Sequence, residues 1–301
     1  MTVVCCTAVM LSNMDSRLRG NDKYQSSFML YLVLFVPLLA YLLYRLLSHQ
    51  LDRRRERGRQ RLRATPLNAD QQALLQSDFP LYRHLPADLQ QKLQSHMQVF
   101  MAEKVFVGCD GFRITDEVRL LIAAQACLLI LNNGSDYYPG FESILVYPSS
   151  YAARVQRQEG YLRSDRIDTR AGESWHRGPV VLAWDQVWRG ALHERDGHNV
   201  VMHEFAHKLD EENNTGPGLP RLPSAGQYRD WARIFSAEYE RLCRHADPVI
   251  DDYGAENAAE FFAVVTEVFF EKPRQLQHHH PALYQQLQLY YQLDPLQWQA
   301  Q

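Results

Sequence analysis

Hydrophobic positions follow three rhythms along this chain. Residues 28 to 44, FMLYLVLFVPLLAYLLY, carry no charge, and Leu46 and Leu47 extend the run past Arg45, whose long stem can snorkel toward an interface. As a helix, residues 28–47 reach about 30 Å, the thickness of a hydrocarbon core, which predicts one transmembrane helix that Pro37 kinks without breaking. From residue 64 the spacing shifts to threes and fours. Leu85, Leu89, Leu93, Met97 and Phe100 mark a core-facing helix with Pro86 in its first turn. ITDEVRLLIAAQACLLILNN (114–133) has Thr115 as N-cap, Asp116 and Glu117 in the first turn and a nearly all-apolar body, so it predicts a helix buried on most sides. Further helices are predicted over 227–246, 257–273 and 281–293. Between these groups, SILVYP (143–148) and GPVVLAW (178–184) read as strands of a small sheet, and NNTGPGLPRLPSAG (213–226) as a loop. No internal repeat is present. The expected fold class is α+β, a small sheet with surrounding helices, preceded by the membrane helix.

Residues 1–27 have neither period and are expected to be disordered; Met29, which opens the apolar run, is a second candidate start that would make the first 28 residues an assignment error. A cleaved signal peptide is the rival reading of the run, but no small-x-small site comes after it. The next segment is instead RRRERGRQRLR, within a basic juxtamembrane linker at 48–63, and then a globular domain at 64–301. The seven arginines from Arg53 to Arg63 outweigh the other flank, where Arg17, Arg19 and Lys23 mix with Asp15 and Asp22. This places the protein as single-pass in the inner membrane, with the globular domain facing the cytoplasm and the lipid bilayer as a partner. The arginines can also touch anionic headgroups, or serve only as a stop-transfer flank.

Composition narrows the choice. A hydrophobic content of 46% over 301 residues supports a real core, and a net charge of -3 gives no basic surface for direct nucleic-acid binding. The five cysteines have neither metal-ligand nor disulfide spacing, which favours a reducing compartment, and Cys127 reads as a small core residue.

The chemistry sits in NVVMHEFAHKLDEE (199–212). On a helix, His203 and His207 share a face one turn apart and can present two imidazoles to one ion, with Glu204 alongside as a base for a metal-activated water. The alternative is an amphipathic helix with two satisfied core histidines. The extended pattern of one HExxH subgroup needs Gly at 210 and His at 213; the chain has Asp210 and Asn213, so the third ligand is expected from a glutamate on a later helix. NAAEFFAVVTEVFFEKP offers Glu260 and Glu267. Glu260, beside the small Ala258 and Ala259, is the better ligand, and Glu267 is read as an outer carboxylate or part of a solvated face. Tyr253 can donate to a developing oxyanion, and Asp210 can orient an imidazole or pair with a cation. The strand at 143–148 is a candidate for aligning an extended substrate by β-addition. The histidines of QHHHP (277–281) are read as exposed, with adventitious metal binding at most.

Taken in order, HEFAHKLD (203–210), AAEFFAV (258–264), VYP (146–148), GPVVLAW (178–184) and YYQLDPLQ (290–297) resemble the Mlc titration factor A family of zinc-dependent peptidases over residues 66–297. That family is related in its catalytic core to the protease domain of anthrax lethal factor. The resemblance implies a zincin-like core, Zn2+ held by His203, His207 and Glu260, Glu204 as general base and Tyr253 as the transition-state phenol. It also implies peptidase or aminopeptidase activity on a peptide or protein substrate. The other function it implies is a regulatory one, binding of a transcriptional repressor such as Mlc, in which peptidase activity would be secondary. Founding members lack the span at 28–47.

Overall fold

The computed structural model describes residues 22–149, 172–174, 178–213 and 216–298, with side chains except at 22–34 and 172–174. The chain divides into two units, residues 1–60 and 61–301.

The first unit is dominated by one helix, α1 (Asp22–Arg63), whose last three residues cross the division. Residues 22–27, expected to be disordered, form its opening turns, residues 1–21 lie outside the described residues, and the basic stretch at 48–63 is helical. Pro37 sits inside it, as a helix tolerates when the lost hydrogen bond is satisfied locally. Among the described residues no helix is long and apolar enough to cross a membrane. Of the span predicted at 28–47, side chains are described from Phe35 onward, and Phe35, Leu39, Leu43 and Leu47 are all exposed.

The second unit opens with α2 (Ala69–Asp78), α3 (Pro80–His84) and α4 (Ala87–Glu103). In α2 the cap is reciprocal: Asn68 Oδ1 accepts from Gln71 N at 2.8 Å while Gln71 Oε1 accepts from Asn68 N at 3.0 Å. Leu93, Met97 and Phe100 of α4 are fully buried, as their spacing requires. Strand β1 (Val105–Gly108) leads through a turn into α5 (Asp116–Leu129), capped by Thr115 Oγ1 and buried at Val118 and from Leu120 to Leu129. Cys127 is part of that core.

Strands β2 (Ser143–Tyr147), β3 (Gly172–Ser174) and β4 (Val180–Ala183) complete a sheet ordered β1-β2-β4-β3. β1, β2 and β4 are parallel, with α5 as the crossover that parallel strands need between β1 and β2; β3 runs antiparallel on β4. β2 is therefore interior, hydrogen-bonded on both sides, and cannot accept an added substrate strand at 143–148. The predicted second strand is also shorter than expected, because Trp184 opens α6 (Trp184–Leu192).

Next come α7 (Val200–Glu211), α8 (Ala225–Arg244) and a 3₁₀ turn, Asp252–Ala255. The chain closes with α9 (Ala258–Glu271), α10 (Pro273–His279) and α11 (Pro281–Tyr291). α7 is the hub, packed on α9 and α5 and beside β3 and β4. Its rear face is anchored by Phe205, whose ring lies 4.8 Å from Tyr138, 5.6 Å from Phe100 and 5.7 Å from Phe141. That aromatic packing fixes the rotation of the helix and hence which side chains face α9.

One sequence expectation fails at the end of α10. His278 and His279 are exposed, but His280 is fully buried, 2.9 Å from Glu238 Oε2 and 3.1 Å from Asp247 Oδ1, with Arg241 against its ring. The run of three histidines hid this because the residue that breaks α10, just before Pro281, turns inward.

Candidate metal centre

The start of α7 is set by a tightly held turn. Asn199 is buried; its Oδ1 accepts from Met202 N at 3.0 Å as N-cap, and its Nδ2 donates to Gly190 O at 3.0 Å. The backbone donors of residues 197 to 199 each reach α9, with His198 N shared with Asp196 Oδ1 at 3.0 Å. Gly197 N and His198 N donate to Glu271 Oε2 at 2.9 and 3.1 Å, and Asn199 N donates to Glu267 Oε2. Two carboxylates one turn apart on α9 thus hold the entry to α7.

From that entry, His203 and His207 point toward the first turn of α9. Glu260 is the third residue of α9, and Asn257 Oδ1 caps its amide at 3.1 Å, so the carboxylate sits at the favourable positive end of the helix. His203 Nε2 lies 3.0 Å from Glu260 Oε2 and 3.2 Å from His207 Nε2; His207 Nε2 lies 3.3 Å from the same oxygen. These three atoms form a nearly equilateral triangle, and among the described residues they are the one group of histidine, cysteine or carboxylate side chains arranged to hold a metal ion. Glu267 Oε1 takes His203 Nδ1 at 2.8 Å, which leaves Nε2 to face the triangle.

The charges agree with the geometry. Burial opposes a charge on His203, but the neighbouring Glu267 carboxylate and hydrogen bonds to Glu260 and Glu267 outweigh it and raise its pKa to about 10. Burial likewise opposes ionisation of Glu260, yet its hydrogen bonds with His203 and His207 prevail and hold it below the usual carboxylate range. Glu271 moves the other way, its pKa pushed well up by burial and then by the charge of Glu267.

The model of a family described as glucose-regulated metallo-peptidase M90 matches residues 51–292. The chain belongs to that family. A protein of Synechocystis sp. described as uncharacterized is 46% identical over 237 residues, 77% of this chain and 86% of its own length. Mlc titration factor A of Klebsiella pneumoniae is 33% identical over 227 residues, covering 72% and 84% of the two chains. That of an Escherichia coli strain is 31% identical over 236 residues, covering 75% and 86%.

Within this M90 domain the other predicted residues take separate places. Glu204 is buried at 3% exposure, next to the first histidine. Tyr253, on the 3₁₀ turn capped by Asp251, places its ring 5.9 Å from that of His203. Asp210 does not orient an imidazole: Oδ2 accepts from Gly218 N and Oδ1 from Leu219 N, both at 2.7 Å, so it fastens the loop after α7. Glu271 was missed, although it stands four residues after Glu267 in an otherwise apolar helix, which was the available signal. A cleft of about 540 Å³ lined by Lys208, Glu211, Glu212 and Arg221 opens at the other end of α7 and does not include the triangle.

Proposed function

We propose that this M90 protein is a zinc-dependent peptidase held at the membrane, with a zincin-like core. The triangle of His203 Nε2, His207 Nε2 and Glu260 Oε2 carries the reading. Bonds of about 2.0 to 2.1 Å at the tetrahedral angle put neighbouring zinc ligands about 3.3 Å apart, and the observed separations are 3.0, 3.2 and 3.3 Å. Two imidazoles and one carboxylate, with the fourth position left for water, is the donor set of a catalytic rather than a structural site. When bound, the ion would polarise a scissile carbonyl and acidify a water molecule. Glu204, buried beside His203, takes the proton of the attacking water and passes it to the leaving amine. Tyr253 donates its phenolic proton in a hydrogen bond to the carbonyl oxygen as charge develops there. Since β2 is interior, the strand suited to align an extended peptide is β3, at the sheet edge beside α7.

The membrane part of the proposal rests on α1, where the exposed apolar side chains from Phe35 to Leu47 continue directly into the arginines at 53–63. That charge order favours a catalytic domain facing the cytoplasm.

A second reading is favoured by the relatives named Mlc titration factor A: capture of a transcriptional repressor, with cleavage secondary. Full-length protein in detergent, metal-loaded and mixed with peptide libraries bearing free or blocked N termini, separates the two. Cleavage by wild type and loss of at least 100-fold in Glu204→Gln, with zinc retained, supports the peptidase; no cleavage by wild type, together with retained repressor binding, overturns it. Free-terminus selectivity would make it an aminopeptidase.

A further inference from the structure

Beyond the ligands, one loop residue lies where the two metal-bearing helices meet. Gly218 has φ +74, in the left-handed region that favours glycine. Its N–H donates to Asp210 Oδ2 at 2.7 Å, and its carbonyl accepts from Trp231 Nε1 at 3.0 Å. Its third neighbour is the first turn of α9: a carbon added at Gly218 would sit 2.5 Å from Ala258 O and 3.0 Å from Ala258 Cβ. Asp210 is three residues beyond His207, and Ala258 is two before Glu260. The small Ala258 thus admits this loop against the turn that carries Glu260.

We propose that Asp210 and Gly218 are positioning residues that set the distance between the histidine pair and the third ligand. These contacts act together as a strap. Asp210 grips two consecutive amides of the loop, Trp231 holds the same residue from α8, and the bare Cα of Gly218 rests on the turn that projects Glu260. Any side chain at 218 must push that turn outward or tear the loop from Asp210. In either case the carboxylate leaves the 3.0 to 3.3 Å contacts it makes with the two imidazoles. The inference rests on the metal reading and concerns how the site keeps its shape.

The test is zinc affinity of the full-length protein in detergent, by competition with a chromophoric chelator, together with the visible spectrum of the cobalt-substituted protein, which reports ligand geometry. Gly134→Ala is the control, because Gly134 has φ +80 but nothing within 4 Å of an added carbon, so it carries the backbone strain without the wedge. Gly218→Ala is expected to weaken zinc at least tenfold and to shift the cobalt bands, while Gly134→Ala leaves both unchanged. Asp210→Asn, which keeps the side-chain shape but loses an acceptor, should weaken zinc by a smaller factor and serves if Gly218→Ala does not fold. Wild-type affinity and spectrum in both strap variants would overturn the proposal. Wild-type protein that binds no stoichiometric zinc would overturn the metal reading itself.

Discussion

Replacing Glu267 by glutamine is the most direct probe of how the centre is held. The carboxylate has two tasks: Oε1 accepts His203 Nδ1 at 2.8 Å, and Oε2 accepts the amide of Asn199 at the entry to α7. Glutamine keeps the volume and one acceptor but brings an NH2 that faces a second donor, so one of the two bonds must fail. With the charge gone, His203 is a weaker base, and its ring is free to turn away from the triangle. Loss of such an outer partner weakens metal affinity by about 10- to 100-fold, or roughly 1.4 to 2.7 kcal/mol. Chelator competition at fixed pH measures this directly. Thermal unfolding of the metal-free protein should fall as well, because the entry turn loses a buried acceptor worth about 1 to 3 kcal/mol. A variant with unchanged affinity whose unfolding temperature nevertheless falls would refute the argument, since Glu267 would then hold the turn and not the ligand.

Three further outcomes are expected from the fold. Phe205→Ala removes the rear anchor of α7 from contact with three rings and should cost about 3 to 5 kcal/mol in chemical denaturation; a cost below about 1 kcal/mol would mean the aromatic packing does not fix the helix. Burial, then Lys92 and Arg63, lower the pKa of His96 from 6.5 to about 4. Between those values the unfolded chain holds more protons, so this contribution, on the order of 2 kcal/mol, is present above pH 6.5 and lost as pH falls toward 4; His96→Gln should flatten that slope in urea titrations at about pH 7 and pH 5. Full-length protein expressed in bacteria should remain in the membrane pellet after alkaline carbonate extraction, and release into the supernatant would refute the proposed membrane attachment.

Much of the centre was legible because its residues obey helical spacing. His203 and His207 are a turn apart, Glu260 and Glu267 two turns apart, and each pair lies on one face in the structure. What the spacing could not show is which atoms meet across the two helices. Asp210, one turn beyond His207, was read as orienting an imidazole or pairing with a cation, yet it accepts from the amides of Gly218 and Leu219, a tertiary contact with no periodic signature. His280 was misjudged for a similar reason: in a run of identical side chains the local backbone turn decides which one is buried. The strand at 143–148 was identified as a strand, but its interior place in the sheet depends on β1, whose four residues were too short to announce themselves.

The histidines and Glu260 lie 57 residues apart in sequence when counted from His203, and an ion between them would close that stretch of chain into a loop. Such an ion is a removable cross-link. Its loss restores to the unfolded chain the freedom of the whole segment, including α8 and the 3₁₀ turn, so that demetallation should make this region the first to open to proteolysis. Metal supply would then govern how long the molecule survives as well as whether it can cut, and a chelator added to cells should shorten its half-life.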